Sequence, residues 1–254
     1  MPLTFDHELA RRFVAHAAPD VDVVLIGLTG AHAYGFPSPD SDLDLKCIHI
    51  APTASLLGLS PQPPTHDRAE ILEGVEIDYT SNELAHAIAG ILRGNGNFLE
   101  RVLGTATLTT SASILAPLRE LGARALSRRV HRHYRGFAES QLRELDKTPT
   151  VKRLLYVMRT ALTGTHLLET GQLITDLGVL IEARGMQDIA ALIERKRAGE
   201  RTPLEPVERE RWRARVDALL EGLDAARERS MLPEDPPNER ELETFLIETR
   251  RARL

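Results

Sequence analysis

The sequence predicts an α+β fold, in which a small mixed β-sheet with flanking helices is followed by an all-α helical domain. Two strand patterns surround a glycine-rich turn near residue 30, and a third strand pattern follows at residues 74–80. Helical periodicity replaces the strand patterns after Asn82. We therefore expect a sheet-containing domain in residues 1–110 and a helical domain in residues 111–254.

The strands are predicted from apolar runs. Residues 21–29 form a nearly unbroken apolar run, which is typical of a buried strand. Residues 43–50 and 74–80 alternate apolar and polar side chains, which is typical of strands that border solvent. Residues 56–68 are rich in proline, so we expect a long loop there, either a lid or a simple connector.

The helices are predicted from caps and 3.6-residue periodicity. Ser81 or Asn82 is expected to cap a helix over residues 83–92, and Gly94 is expected to end it. Gly164 is expected to interrupt a later helix. Further helical patterns lie at 114–121, 127–145, 151–169, 176–183, 187–198, 207–226 and 239–250.

Acidic side chains at the start of the second strand are the first candidate site. Asp42 and Asp44 are two residues apart, so on a strand they share a face with Cα atoms about 6.5 Å apart. Two carboxylates this close repel each other unless a cation lies between them, and their oxygens suit Mg²⁺ or Mn²⁺. Glu76 and Asp78 share a face of the third strand, and we select Asp78 because it stands at the far end. Three such carboxylates can hold two metal ions for phosphoryl transfer.

The glycine-rich turn is the second candidate site. Gly30 and Gly35 can adopt backbone angles that other residues avoid, so successive amide groups between them can face a triphosphate. Taken separately, a glycine turn and an acidic pair are typical of ordinary turns and solvated edges. Their order and spacing, from His32 to Ser41 and into Asp42, favour a functional site.

These motifs resemble those of the DNA-polymerase-β-like nucleotidyltransferases, specifically the branch associated with RNA repair and RNA ligases. That branch carries a turn like Gly-Ser-Arg-Ala-Tyr-Gly and then Ser-Asp-x-Asp. Residues 95–100 also resemble its Asn-Pro-Asn-Ile-Leu-Glu segment, and residues 152–162 resemble its Lys/Arg-rich helix. The chain matches the turn and acidic motifs at Gly30, Ala33, Tyr34, Gly35, Ser41, Asp42 and Asp44.

The resemblance implies a nucleotidyltransferase catalytic domain in residues 1–110. Its expected reaction moves a nucleoside monophosphate from an NTP to an acceptor hydroxyl, on RNA such as tRNA or a repair substrate, and releases pyrophosphate. Mg²⁺ or Mn²⁺ is the expected cofactor. The expected catalytic and metal-binding residues are Asp42, Asp44 and Asp78. The expected nucleotide-binding residues are Gly30, Ala31, His32, Tyr34, Gly35, Ser41, Lys152 and Arg153.

Two departures from the family pattern leave other functions open. Ala31 stands where a serine hydroxyl is expected, which removes a hydrogen bond worth about 0.5–1.5 kcal/mol. His32 replaces an arginine and is a cation only when protonated. The alternatives are an NTP-binding regulatory or antitoxin-like module, and a nucleotidyltransferase that modifies a protein hydroxyl.

The charge distribution suggests a polyanionic partner. The net charge is −5, but residues 119–159 contain eleven Lys or Arg and four Asp or Glu. Arg128, Arg132 and Arg135 are spaced as one helical stripe, and like charges there repel. Together with Arg129 they are candidates for binding RNA or phosphate, although a solvated helix face has the same pattern.

Composition limits the remaining possibilities. The single cysteine, Cys47, excludes a disulfide within the chain and is expected to be buried. The first 18 residues lack the apolar core of a signal peptide, and no run is long enough for a membrane span. We therefore expect a cytoplasmic protein that does not bind membranes. Arg159 and His166 share the Arg-x6-His spacing of HEPN-type ribonucleases, which we attribute to chance.

Overall fold

A computed structural model describes residues 7–18, 20–39, 41–57, 59, 63–199 and 202–253. The strands within these residues are β1 (Asp22–Leu28), β2 (Leu43–Ile50), β3 (Thr65–Leu72), β4 (Val75–Glu83) and β5 (Thr107–Thr109). The helices are α1 (His7–Ala17), α2 (Gly30–Ala33), α3 (Thr53–Leu57), α4 (Leu84–Leu92), α5 (Gly96–Leu103), α6 (Ala112–Arg124), α7 (Val130–Lys147), α8 (Val151–Thr170), α9 (Leu177–Arg184), α10 (Gln187–Arg197), α11 (Pro206–Arg229) and α12 (Glu239–Arg251).

The strands form one mixed sheet in the order β3-β4-β2-β1-β5. β2 and β4 are parallel, and the other neighbouring strands are antiparallel. The parallel pairing places Asp44 directly beside Asp78. The predicted α+β class, a mixed sheet followed by helices, is confirmed.

Each face of the sheet is covered by helices. Leu9 and Phe13 of α1 pack against one face, where Tyr79 and the buried Cys47 lie. The other face joins a core that includes Val24 of β1 and residues as distant as Leu223 of α11. The sheet and the C-terminal helices therefore share a hydrophobic core. The domain boundary at residue 110 remains a prediction.

The structure corrects several expected elements. Residues 65–68 were expected to belong to a loop but form the first half of β3, an edge strand whose alternate residues are exposed. The part of that loop at residues 58 and 60–62 lies outside the described residues. β4 continues to Glu83, which caps α4 by accepting a hydrogen bond from the Ala85 amide, so neither Ser81 nor Asn82 is the cap.

Three further corrections concern the helices. The sequence analysis omitted α5, which Asn95 caps by accepting a hydrogen bond from the Asn97 amide. α8 runs without interruption through Gly164. The glycine serves packing, because a Cβ atom there would collide with Tyr134 of the adjacent α7. α7 begins at Val130, so the preceding arginines do not lie on the expected helical stripe. None of the described helices combines the length and apolar character required to span a membrane.

His49, near the end of β2, is a buried titratable group in the sheet. Its Nδ1 atom lies 2.8 Å from Ser81 Oγ, and its ring is 5.0 Å from that of His66. Burial, followed by the charge of His66, lowers the pKa of His49 to about 4. An unfolded histidine titrates near pH ~6.5. The neutral imidazole therefore stabilises the fold above that pH, and this contribution is lost as the pH falls towards 4.

We predict that His49→Asn, which removes the titratable group, reduces the pH dependence of stability. Between pH 6 and 5 the natural protein is expected to lose up to about 1.4 kcal/mol more unfolding free energy than the variant. Urea unfolding of both proteins at pH 7, 6 and 5 measures the difference. Parallel stability curves for the two proteins would contradict the assignment.

Candidate active site

The glycine-rich turn is a single helical turn, α2, placed directly after β1. Gly30 and Gly35 have φ values of 66° and 84°, which favour glycine. A Cβ atom on Gly30 would lie 1.9 Å from Asp44 Oδ2. The missing side chain therefore lets the Asp44 carboxylate lie against the backbone of the turn. This contact joins the two motifs that the sequence analysis identified separately.

Asp42, Asp44 and Gly30 line one cleft of about 1320 Å³. Burial is the main cause that raises the pKa of Asp44 to about 6, and the negative charge of Asp42 is the next. The charge of Asp78 also raises the pKa of Asp44, by less than that of Asp42. The pair at the start of β2 is a site of concentrated negative charge.

Asp78 has a partner of its own. Lys46 Nζ donates hydrogen bonds to Asp78 Oδ2 at 3.0 Å and to Thr80 Oγ1 at 3.2 Å. Lys46 and Glu76 line the cleft with the acidic pair. In the part of the chain that the structure describes, no three Asp, Glu, His or Cys side chains are grouped to hold a metal ion. The sheet register brings the three aspartates together, but their carboxylates do not converge.

A divalent cation fits the acidic pair. Asp42 and Asp44 are hard oxygen donors in one cleft, and after burial the charge of Asp42 is the next cause of the raised pKa of Asp44. Asp78 is the nearest candidate for a third ligand because it stands beside Asp44 in the register. Glu76 is the other candidate, since it lines the cleft.

A buried network of hydrogen bonds holds the glycine-rich turn in place. Glu100 accepts hydrogen bonds from Tyr34 at 3.2 Å, from Tyr134 at 3.1 Å and from Arg159 at 2.7 Å. The side chains of Glu100 and Arg159 are only 6% and 1% exposed. The Arg159 guanidinium also lies 3.7 Å from the centre of the Tyr34 ring. Four side chains from α5, α7, α8 and the turn thus form one charged and aromatic unit.

The loop between the turn and Asp42 is held by α10. Lys196 is fully buried, and its Nζ donates hydrogen bonds to Ser38 Oγ at 2.7 Å and Ser41 Oγ at 2.9 Å. Ser41 is therefore engaged within the protein. Burial is the main cause that lowers the pKa of His32, which favours the neutral imidazole. At neutral pH His32 therefore lacks the positive charge that an arginine would carry.

The start of α9 and the end of α10 also contact the turn. The Leu177 amide donates to the Tyr34 carbonyl at 2.9 Å, and Arg197 donates to the Gly35 carbonyl at 3.0 Å. A Cβ atom on Gly35 would lie 2.6 Å from an oxygen of Asp176. The predicted phosphate-binding turn is therefore enclosed by helices that are distant in sequence.

The predicted cations of α8 both line the cleft. The Lys152 ammonium lies 5.9 Å from the centre of the Tyr156 ring, and its charge lowers the pKa of Asp44. Arg153 donates to the Glu144 carbonyl at 2.5 Å and to the Thr148 carbonyl at 3.5 Å. Lys152 is consequently the better placed of the two to act near the acidic pair.

The other predicted arginines lie outside the residues that line the cleft. Arg128 donates to the carbonyls of Ser230 and Leu232, and Arg129 forms an ion pair with Asp235 at 2.7 Å. Ion pairs with Glu139 and Asp224 also engage Arg135, whereas Arg132 is exposed. A phosphate group would have to compete with these internal partners at three of the four positions.

Sequence reasoning missed four contributors to the site. Glu100 is the last residue of the segment 95–100 that resembles the family, but no pattern in the neighbouring sequence predicts that its carboxylate is buried. Arg159 was set aside as chance, and Lys46 was not considered. Lys196 lies in a charged run that suggests a solvated helix face. All four residues acquire their roles from contacts between distant segments.

Comparison with known proteins places the chain in a family. A family model, RlaP, described as RNA repair pathway DNA polymerase beta family, matches residues 5–248. The chain belongs to this family. The resemblance inferred from the motifs is confirmed, and the family supports nucleotidyl transfer as the general activity.

Individual relatives are distant. The uncharacterized protein MJ0002 of Methanocaldococcus jannaschii is 24% identical over 155 residues, which cover 60% of this chain and 63% of that protein. The match thus spans less than two thirds of MJ0002. The uncharacterized protein YcgL of Bacillus subtilis is 24% identical over 225 residues, which cover 83% of this chain and 80% of YcgL.

A nucleotidyltransferase-like protein from Exiguobacterium sibiricum is among the similar solved structures. It is 13% identical, with 97% of this chain and 80% of that chain covered and a TM-score of 0.33. That likeness is too weak to carry an argument about fold or function. The family match, and not this structure, identifies the chain.

We predict that Glu100→Gln destabilises the protein by about 3–5 kcal/mol, because it leaves the buried Arg159 without a compensating charge. The double variant Glu100→Gln/Arg159→Met is expected to recover part of this loss, since it removes the unpaired charge. Urea unfolding measures all three proteins. Arg213→Ala, which breaks an exposed ion pair with Asp146, is the control and is expected to cost at most about 1 kcal/mol. A Glu100→Gln loss no larger than the control would contradict the buried network.

We predict that Lys196→Met loosens the loop that leads to Asp42, because Ser38 and Ser41 lose a shared donor. Hydrogen exchange of the Ser41 amide, which donates to the Ser38 carbonyl, is expected to accelerate by about 5-fold or more, the equivalent of one lost hydrogen bond. Lys147→Met, on an exposed ion pair, is the control. Unchanged exchange at Ser41 in the Lys196 variant would show that α10 does not hold the loop.

Proposed function

We propose that the protein is a metal-dependent nucleotidyltransferase that moves a nucleoside monophosphate from an NTP to a hydroxyl group of RNA. The acceptor oxygen attacks the α-phosphorus, the bond from that phosphorus to the β-phosphate bridging oxygen breaks, and pyrophosphate leaves. The acceptor loses its hydroxyl proton in the process. The family description, which refers to RNA repair, supports RNA as the acceptor.

One observation carries the proposal. The Asp44 carboxylate lies against the backbone of Gly30, and Asp42 lines the same cleft. Acidic groups and a glycine turn are therefore adjacent in space, as phosphoryl transfer requires if the same cleft is to hold a metal ion and a triphosphate.

Asp42 and Asp44 are the proposed ligands of Mg²⁺ or Mn²⁺, with Asp78 as the proposed third ligand. When bound, such an ion neutralises charge on the phosphate oxygens and on the attacking oxygen. Asp78 is exposed on β4 and oriented by Lys46, so it is also the proposed acceptor of the hydroxyl proton. Asp78 has both proposed roles because it is exposed at the open side of the sheet.

The remaining predicted residues hold the triphosphate. The backbone of α2 between Gly30 and Gly35 is the proposed contact for the β- and γ-phosphates. Lys152 is the proposed counter-charge, because its ammonium already acts on Asp44 across the cleft. Tyr34 is proposed to keep the turn in place through Glu100, to which it donates a hydrogen bond.

We predict that Asp42→Asn lowers nucleotide transfer at least about 100-fold, because it removes charge from the acidic pair while preserving its shape. The assay incubates the protein with Mg²⁺, each α-labelled NTP and either tRNA or total cellular protein. Label on RNA supports the proposal. Label on polypeptide would instead favour a protein hydroxyl as the acceptor.

Asp20→Asn, on an exposed turn outside the cleft, is the matched control and is expected to retain full activity. Thermal melting of both variants checks that the fold is intact. Full transfer by a folded Asp42→Asn variant would overturn the assignment. NTP binding without transfer to either acceptor would favour the regulatory module that the sequence analysis left open.

A further inference from the structure

The wall of the cleft formed by α7 has no role in the proposed function. Phe137 and Gln141 line the cleft on this wall, together with Asn97 at the start of α5. Phe137 and Gln141 are four residues apart on α7, so their side chains share a face one turn apart. Both are half-buried. An aromatic ring and a carboxamide are thus presented side by side to the cleft that the acidic pair also lines.

The Phe137 ring is held by stacking on a neighbouring ring. His133, one helical turn earlier, stacks on it with a centroid distance of 5.6 Å and an interplanar angle of 22°. His133 in turn lies edge-on to Tyr134, whose hydroxyl donates to Glu100. The plane of Phe137 is therefore set by a chain of contacts that ends in the buried network. A fixed flat ring at the surface of a cleft is suited to stack on a second flat ring.

The Gln141 side chain makes no hydrogen bond within the described residues of the chain. A carboxamide offers two donors and acceptor lone pairs, so it can form two parallel bonds with a neighbouring donor and acceptor. Adenine presents such a pair on two edges, because its N6 donor is flanked by the acceptors N1 and N7. Every base presents an adjacent donor and acceptor on its Watson–Crick edge, so only the N6/N7 edge distinguishes adenine. On that edge guanine presents two acceptors, and the pyrimidines have no N7.

We propose that Phe137 and Gln141 form the nucleobase subsite and that the preferred nucleotide is ATP. Phe137 stacks on the base, and Gln141 pairs with N6 and N7 of adenine, the edge that distinguishes adenine from the other three bases. The inference rests on the proposed function, because it requires that the cleft bind a nucleotide. It adds the identity of the base, which neither the motifs nor the family description specify.

The charge layout favours the incoming nucleotide over the RNA acceptor at this subsite. Lys152 lies over Tyr156 and acts on Asp44, so phosphates bound by Lys152 would lie among residues that also line the cleft with α7. The exposed carboxylates Glu76 and Asp78 lie on β4, at the sheet side. A nucleotide with its phosphates at the acidic pair can place its base against α7, whereas a large acceptor has access from the exposed strand.

The test measures binding of ATP, GTP, CTP and UTP by calorimetry, with Mg²⁺ and without RNA. The natural protein is expected to bind ATP most tightly. Phe137→Ala is expected to weaken all four nucleotides by about 5- to 150-fold, because stacking accepts every base. Phe137→Tyr, which keeps the ring face, is expected to restore most of this affinity.

Gln141→Ala is expected to weaken ATP by about 5- to 150-fold and to leave GTP little changed, so that the preference for ATP is lost. Gln172→Ala is the matched control, because Gln172 is exposed after α8 and does not line the cleft. Unchanged affinities in both α7 variants would overturn the proposal, as would an equal loss for all four nucleotides in Gln141→Ala. A change confined to the KM for RNA would assign this wall to the acceptor and would also overturn it.

Two further measurements keep the outcome decisive. If an α7 variant does not fold, competition by adenosine and guanosine against labelled ATP on the natural protein replaces it, and stronger competition by guanosine would overturn the proposal. Binding is scored separately from transfer. ATP-selective binding that depends on Gln141 but yields no labelled product would support the subsite and refute the proposed reaction. Nucleotide transfer without base selectivity would support the proposed reaction and refute the subsite.

Discussion

The structure of the site depends on one buried carboxylate. Glu100 is buried, and its charge is compensated by Arg159 and by the hydroxyls of Tyr34 and Tyr134. A charge in this position is tolerated only when all its hydrogen bonds are made, because desolvation of an unpaired ion costs several kcal/mol. The four segments that supply these groups must therefore meet in one arrangement. That requirement holds the glycine turn against α7 and α8. The turn lines the cleft, so the same contacts also fix this part of the cleft.

The helices after residue 110 complete the candidate site. Lys196 and Arg197 of α10 bond to the loop and to the turn, while Lys152 of α8 faces the acidic pair. The sheet side supplies the aspartates and Lys46, and the helices supply the other cations and the walls. The acidic motif near the sheet therefore predicts only part of the cleft, because the remaining walls come from the helices. A basic segment in an acidic protein likewise need not indicate a surface for nucleic acid, since Arg128 and its neighbours mainly hold the C-terminal segment in place.

Much of the fold was predictable because its strands carry strong local patterns. β2 was predicted over the observed residues, and the alternation in β4 correctly separated Ile77 and Tyr79 from the exposed acids. The edge strand β3 and the helix α5 were missed. β3 carries charged residues along its length, as edges exposed to solvent often do. α5 begins at Gly96, in a glycine-containing segment that was expected to end the preceding helix. Glycine is required there because a Cβ atom would collide with His133 and Tyr134 of α7.

The sequence by itself determined the family, the glycine turn and the acidic pair Asp42 and Asp44, because the motifs that identify them consist of residues close together along the chain. Only the tertiary structure decided that Lys46 engages Asp78, that Arg159 neutralises Glu100 and that Lys196 reaches Ser41. These partners are separated by 32, 59 and 155 positions. Charge pairing depends on distance in space, and a single sequence carries no local signal for which of its many charged residues will meet after folding.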